Sequence, residues 1–589
     1  MKKFFLILTA FLLAIAFVSC ATTSGASASN QKSSKAASAN ATTTIANKYT
    51  NKGFSESNMA SWGALNCHDP KLFQDDDGTY YIYSTDASIG GAGAKGLQIR
   101  KSKDLITWTC STTTAIRNNW DKEMVDWTGQ EMGSASSWAP TVIKQNGKYY
   151  MFHGMMLDGL KDGDDPRPTA WIGLAISDKA EGPFIPAHKY DPATYKQSTL
   201  VRYTWSQRPT STKVKGVNYR SCKNCAFYSW HDGFGAIDPE FVIDVATGQY
   251  MKDEYGNYYM TYGSFKEGIA LITVDGKTFK PAYKGETFDK PLDEIDNAWG
   301  QKVAGGFGAC YEGSQMIYNS DTGYYYMFCS CGALEKDYSI RVGRSKSVTG
   351  PFLDAQEQDM AGVSGETART VGHKILGGFM FPQEFGWRSL GGMSILNISD
   401  KDETTGKNKV VLCAHARTSF LPNYFFYAQT RQLYFNEDGW PVLNPNEYTG
   451  ESLKKFTPEE IAGYYDTVLT VRDILRGDVA QPAGLPPIPD TNLADGFETP
   501  SQDIILSVDG KISGNYEGSW KLAEDGYTIT INLEEGGKKL GVFKGIVTEA
   551  IDWGRKDSNR KTISFTTVCG DNGNLKSGEH FFGNRCAIQ

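Results

Sequence analysis

DGTYYIYST (77–85) decides the architecture, because the same phrase returns along the chain. It recurs as NGKYYMFHG (146–154), YGNYYMTYGS (255–264) and TGYYYMFCS (322–330), with KVVLCAHAR (409–417) as a weaker fifth copy. Each copy alternates aromatic and β-branched residues as a strand does, and the first four open on a glycine-containing hairpin turn. A second strand phrase follows each one: GLQIRKSKDLITW (96–108), AWIGLAISDKAEGPF (170–184), GIALITVDGKTF (268–279), YSIRVGRSKSVTGPF (338–352) and FFYAQTRQLYF (425–435). Five recurrences of one antiparallel unit at unequal spacings predict an all-β, five-bladed β-propeller with insertions in its connecting loops. The period-two patterning excludes a helical solenoid.

The repeat places the propeller at 47–480. QPAGLPPIPD (481–490) then reads as a Pro-rich linker. Beyond it, residues 491–589 carry new strands such as DIILSVDGKISG, EDGYTITINLEE and RKTISFTTVCG, which predict a small C-terminal β-barrel domain. This unit is expected to fold separately, with Cys569 and Cys586 available to pair with each other. A chain of 589 residues exceeds one ordinary core, which agrees with two domains.

The N-terminus carries a targeting segment at 1–20. Lys2 and Lys3 form a positive start, Phe4 to Val18 an apolar run too short to span a bilayer, and Ser19-Cys20 a small-residue end. Phe17-Val18-Ser19-Cys20 resembles a bacterial lipobox, which implies lipid anchoring through Cys20. Ordinary cleavage that discards Cys20 is the alternative. Residues 21–46, rich in Ser, Ala, Thr and Asn, cannot bury enough surface to offset their ordering entropy and read as a flexible tether. An exported lipoprotein, at the cell surface or in the periplasm, is the expected destination, and a monomer the expected state.

A net charge of −7 and a pI near 5.7 argue against a nucleic-acid partner. Cys20 aside, the chain holds cysteines 67, 110, 222, 225, 310, 329, 331, 413, 569 and 586, an even number that export permits to form disulfides. Cys222-x2-Cys225 with Cys329-x-Cys331 could imitate a four-thiolate zinc site, a weaker reading outside the cytoplasm.

Ahead of each Tyr-Tyr strand lies the blade's innermost strand, whose start faces the central channel. Those starts are Cys67-His68-Asp69-Pro70, Trp138-Ala139-Pro140, Ile237-Asp238-Pro239-Glu240, Glu312-Gly313-Ser314 and Gly392-Met393-Ser394. Three of the five are read as placing a carboxylate at the same relative position, so Asp69, Asp238 and Glu312 should converge on the axis. Like charges repel and burial raises their pKa, so acids gathered there point to acid–base chemistry. A lone Asp would be read as a turn or strand-end cap. Asp75, Asp76 and Asp77 before Gly78 belong to a hairpin turn, and Glu240 is assigned a structural role.

These motifs in their order resemble glycoside hydrolase family 43, and within it the endo-acting arabinan-degrading enzymes, over roughly residues 60 to 455. The matching pieces are His68-Asp69-Pro70, WAP (138–140), IDPEF (237–241), Glu312-Gly313, His415-Ala416-Arg417 and EDGWPVLNPNEYTGE (437–451). The resemblance implies a lipocalin-like C-terminal barrel and an inverting hydrolysis of internal α-1,5-L-arabinofuranosidic bonds in arabinan. Asp69 would be the general base, Glu312 the general acid, and Asp238 the group that raises the acid's pKa and orients it. His68 and Trp138 would contact sugar or form channel wall. His415 would hold a calcium ion near the propeller centre, mostly through waters, although a strand histidine by itself reads as core and calcium prefers oxygen ligands. One departure stands out: where the family often has Gly-His-Asn-Ser, this chain has Gly392-Met393-Ser394. An exo-acting arabinofuranosidase or β-xylosidase, a retaining fructan-acting propeller, and a non-catalytic glycan-binding lipoprotein remain as alternatives.

Overall fold

The computed structural model describes residues 55–586, apart from 87–93, 157–169, most of 204–233, 473–497, 553–559 and some shorter loop stretches. The targeting segment with Cys20, the tether, Cys222, Cys225 and the Pro-rich stretch 481–490 lie outside the described residues.

Five sheets, antiparallel except for two short parallel pairings, form the blades of a propeller. Their innermost strands begin at Lys71, Trp138, Glu240, Cys310 and Trp387, and each pairs with the Tyr-Tyr strand that the repeat marks. The hairpin turns rest on glycines in the left-handed region, such as Gly78 at φ +77° and Gly147 at +75°. The ring closes through the segment ahead of blade one. Leu65 bridges to Tyr427 of blade five, Cys67 N–H donates to Phe426 O at 3.1 Å, and Ala428 N–H donates to Ala64 O at 2.9 Å. The buried Arg100 guanidinium fixes that segment by donating to the carbonyls of Gly63, Leu65 and Asn66 at 2.8, 2.8 and 3.0 Å.

An eight-stranded closed barrel forms the C-terminal part. Its boundary corrects the sequence reading. The barrel's first strand is Gly463–Leu469, upstream of the Pro-rich stretch, and it pairs with both Gln502–Leu506 and His580–Arg585 to close the cylinder. Thr499–Pro500, downstream of that stretch, instead pairs with Phe379–Met380 of blade five. The chain therefore crosses between the two bodies on both sides of 481–490.

The barrel also packs firmly on the blades. Tyr434, Trp440, Val442 and Leu453 share an apolar cluster with Ile546 and Val568 of the barrel. The Asn446 and Asn584 amides bond reciprocally at 2.9 Å. Buried Arg472 donates to Asp354 Oδ2 at 2.5 Å and to Ser577 O at 2.9 Å. A second correction concerns Cys569 and Cys586. They follow opposite ends of the antiparallel strands Lys561–Val568 and His580–Arg585, six residues of strand apart, so they cannot pair. At about 3.4 Å per residue that gap is roughly 20 Å, far beyond disulfide reach.

Candidate active site

Strand register shows how the channel is built. The fourth residue of each Tyr-Tyr phrase stands opposite Lys71, Thr141, Glu240, Gln315 and Ser394 in the five blades. These five polar side chains are buried and tie the blades together across the axis. Lys71 Nζ donates to Met393 O at 2.9 Å and sits 3.4 Å from Glu240 Oε2, while Thr141 donates to Glu240 Oε1 at 2.8 Å. Gln315 donates to Ile395 O at 3.0 Å, and Ser394 Oγ accepts the Leu72 N–H at 3.0 Å. Glu240 is thus part of the plug beneath the site, as its assigned structural role requires.

Two residues before that layer the backbone turns left-handed in every blade. Asp69, Ala139, Asp238, Gly313 and Gly392 have φ of +48°, +37°, +57°, +51° and +56°. This conformation is costly for residues other than glycine, and such strain clusters at functional sites. Asp69 and Asp238 are therefore equivalent by blade, but Glu312 is not: it stands one residue earlier, before Gly313. The equal placement expected of the three acids is corrected here. Register irregularities on either side of Glu312 re-aim its side chain toward the other two.

The acids have different environments. Asp69 is half-buried, and desolvation opposes its charge, yet the neighbouring His68 outweighs that and holds its carboxyl well below the usual range. His68 Nδ1 lies 2.8 Å from Asp69 Oδ2, off the line of a hydrogen bond. Thr85 Oγ1 donates to the same oxygen at 2.6 Å, and itself accepts the Ala139 N–H at 2.9 Å, so its one proton is committed to Asp69. Asp238 and Glu312 are both pushed up. Burial leads for each, followed for Asp238 by the charges of Glu312 and Asp69. The rise of Glu312 is restrained by Tyr338, which donates to Oε1 at 2.7 Å, and Ser264, which donates to Oε2 at 2.8 Å. Asp238 Oδ2 accepts the N–H of Gly313 at 2.9 Å, which ties it to the acid's own backbone. The site therefore favours the ionised form of Asp69 and the protonated forms of Asp238 and Glu312, the division of labour that acid–base catalysis needs.

His415 is stacked between His68 (centroids 4.4 Å apart) and Tyr338 (5.8 Å). Burial, then the neighbouring His68, drops its pKa to about 4, so it is neutral. Its Nδ1 accepts the Asp69 N–H at 3.2 Å, which leaves the ring proton on Nε2. That Nε2 is buried without a partner among the described residues. His68, Asp69 and His415 also form the one metal-capable group among them. A protonated Nε2 fits an ion met through its water shell, and it does not fit direct ligation.

His68 thus joins the base, edge-on to Phe426 at 4.6 Å. Trp138, half-buried, adjoins Ala139 at the mouth of the second blade. The sequence reading missed Thr85, Ser264, Ser330 and Tyr338. A signal existed for two of them: counted from the repeat's Tyr-Tyr, Thr85, Gly154, Gly263, Ser330 and His415 occupy one position on successive blades. Two glycines shape the fifth blade's contribution. A Cβ on Gly392 would come within 2.5 Å of Asp69 Oδ1 and 2.8 Å of the His415 ring, and one on Gly391 within 2.2 Å of the Tyr338 ring.

Residues 27–201 and 203–374 match the family model for glycosyl hydrolases family 43, and residues 445–575 match that for a C-terminal lipocalin-like domain. The extracellular endo-α-(1→5)-L-arabinanase of Thermotoga petrophila is 28% identical over 526 residues, 86% of this chain and 92% of that one. The extracellular endo-α-(1→5)-L-arabinanase 2 of Bacillus subtilis is 28% identical over 81% of this chain and 87% of its own. The crystal structure of the Thermotoga petrophila RKU-1 endo-1,5-α-L-arabinanase superposes with a TM-score of 0.65 at 26% identity, covering 89% of this chain and 99% of that one.

Proposed function

The chain belongs to glycosyl hydrolase family 43, and on that premise we propose that it cleaves internal α-1,5-L-arabinofuranosidic bonds of arabinan with inversion of configuration. The observation that carries this reading is the opposed environment of the acids. Asp69 is held ionised by the His68 imidazole and a committed threonine proton, while Glu312 and Asp238 are pushed toward their protonated forms by burial and by the charges of the neighbouring acids.

In the proposed reaction Asp69 accepts a proton from water as the water oxygen bonds to the anomeric carbon. Glu312 gives its proton to the departing glycosidic oxygen as that carbon–oxygen bond breaks. Asp238, which feels the charge of Glu312, accepts the Gly313 N–H and so holds the acid's loop. Asp69 and Glu312 come from blades one and four, so substrate enters between them. A water on one face and an acid on the other is the arrangement of an inverting enzyme. A calcium ion would be met by His415 through water and would supply positive charge beside Asp69. His68 and Trp138 border the sugar.

Export is carried over from the extracellular relatives, and anchoring through Cys20 is the finer part of the proposal. Hydrolysis of debranched arabinan tests the assignment, with products resolved by size and their anomeric form read by NMR before mutarotation. Mixed oligosaccharides of inverted configuration are expected. Arabinose alone would replace endo with exo action, and retained configuration would overturn the base role of Asp69.

A further inference from the structure

We propose that Tyr338 is a positioning residue for Glu312: it commits its one hydroxyl proton to Oε1, so that the proton delivered to the leaving group is carried on Oε2. The proposal rests on the reading of Glu312 as the general acid. Tyr338 immediately precedes the strand Ser339–Ser345, is 2% exposed, and its hydroxyl lies 2.7 Å from Glu312 Oε1.

The direction of that bond is set by its neighbours. Gly392 N–H donates to Ser330 Oγ at 3.0 Å, and the Ser330 hydroxyl is within hydrogen-bonding reach of Tyr338. Ser330 therefore has its own proton to give to the tyrosine oxygen, and Tyr338 in turn gives its proton to the acid. The chain runs one way, from the backbone of blade five through Ser330 and Tyr338 to Oε1. Ser264 donates to Oε2 at 2.8 Å, and a protonated oxygen can accept that bond while donating forward.

The ring is held as firmly as the hydroxyl. It lies parallel to His415, at an interplanar angle of 12°. Gly391 has no left-handed φ that would call for glycine, yet a Cβ there would meet Tyr338 Cε1 at 2.2 Å. The glycine is explained by the tyrosine. When Glu312 loses its proton to the glycosidic oxygen, the new carboxylate has a hydroxyl donor on each oxygen, so the charge that develops during bond cleavage is already solvated.

The test is Tyr338→Phe in the full-length protein, which keeps the ring and removes only the hydroxyl. Rates are measured on debranched arabinan and on an aryl α-L-arabinofuranoside with a good leaving group, as a function of pH, beside a thermal melt. We expect an unchanged melting temperature and KM. On arabinan kcat should fall about tenfold to a hundredfold, short of the full general-acid contribution, with a smaller loss on the aryl substrate. The basic limb of the pH profile should move upward, because a bond that favoured the ionised acid is gone. A wild-type kcat with an unmoved basic limb overturns the proposal, as does an equal loss on both substrates with a lowered melting temperature. Glu312→Gln measured alongside separates the two levels. If it retains arabinan hydrolysis, the acid assignment fails, whereas an inactive Glu312→Gln beside a wild-type-like Tyr338→Phe sinks the tyrosine's role alone.

Discussion

Replacing Glu312 by glutamine is the perturbation whose consequences the structure specifies most fully. Both carboxylate oxygens now accept a hydroxyl proton, Oε1 from Tyr338 at 2.7 Å and Oε2 from Ser264 at 2.8 Å. Glutamine has the same shape. Its carbonyl can keep the bond from Tyr338, whose direction is fixed, while its amide donates to Ser264, whose hydroxyl can rotate to accept. No hydrogen-bonding atom is orphaned and one half-buried acid is removed from beside Asp238, so stability should change by less than about 1 kcal/mol. The amide cannot donate a transferable proton. General-acid catalysis contributes about 10²–10⁴-fold, equivalent to roughly 3–5.5 kcal/mol of barrier, and arabinan hydrolysis should slow by that amount. An aryl arabinofuranoside whose leaving group departs as a stable phenolate does not need the proton and should slow by about tenfold or less. The assay is steady-state kinetics on both substrates with a denaturation curve for each protein. Equal slowing on the two substrates, with folding intact, would refute the assignment of Glu312 as the acid.

Thr85→Val removes the committed donor to Asp69 Oδ2 and leaves the Ala139 N–H unpaired, so kcat should fall by roughly tenfold and the acid limb of the pH–rate profile should move up; an unmoved limb would show that Thr85 does not set the base. A protease site engineered into 481–490 should be cut without releasing the barrel, because Gly463–Leu469 stays on the N-terminal fragment while hydrogen-bonded to two downstream strands; separate elution of the fragments in gel filtration would contradict that pairing. In the barrel, burial and then the facing Asp503 raise Asp466 to about 7, although Cys586 opposes this. The folded protein keeps a proton there that the unfolded chain releases near the ordinary Asp value of 3.8, so this group's contribution to stability is present below that value and is lost as pH rises toward 7. Asp466→Asn should flatten the pH dependence of barrel melting across that window, and a slope equal to wild type would refute the linkage.

The propeller was legible in the sequence because its evidence is local. A hairpin turn, two alternating strands and a return at intervals are properties of short stretches, and five copies in order leave few other architectures. The three acids were legible for a related reason, since each opens an inner strand next to proline or glycine. What neighbouring residues in the chain cannot encode is the register of one strand against another. The one-residue offset of Glu312 arises from irregular pairing with Tyr324–Cys331, and nothing in Tyr311-Glu312-Gly313 announces it. GYYDTVL (463–469) has the same alternation as a propeller strand, and only its hydrogen bonds to Gln502–Leu506 and His580–Arg585 assign it to the barrel. Tyr338 and Ser264 carry no local signal because their partner, Glu312, lies 26 and 48 residues away, on the same blade for Tyr338 and on the neighbouring blade for Ser264. Sequence patterning therefore determined which elements exist and which side chains could do chemistry. Their pKa differences, and the direction in which each proton points, come from burial and from donors distant in the chain, some on the same blade (Thr85, Tyr338) and some on the neighbouring one (Ser264, Gly313), which meet the acids only in the folded ring.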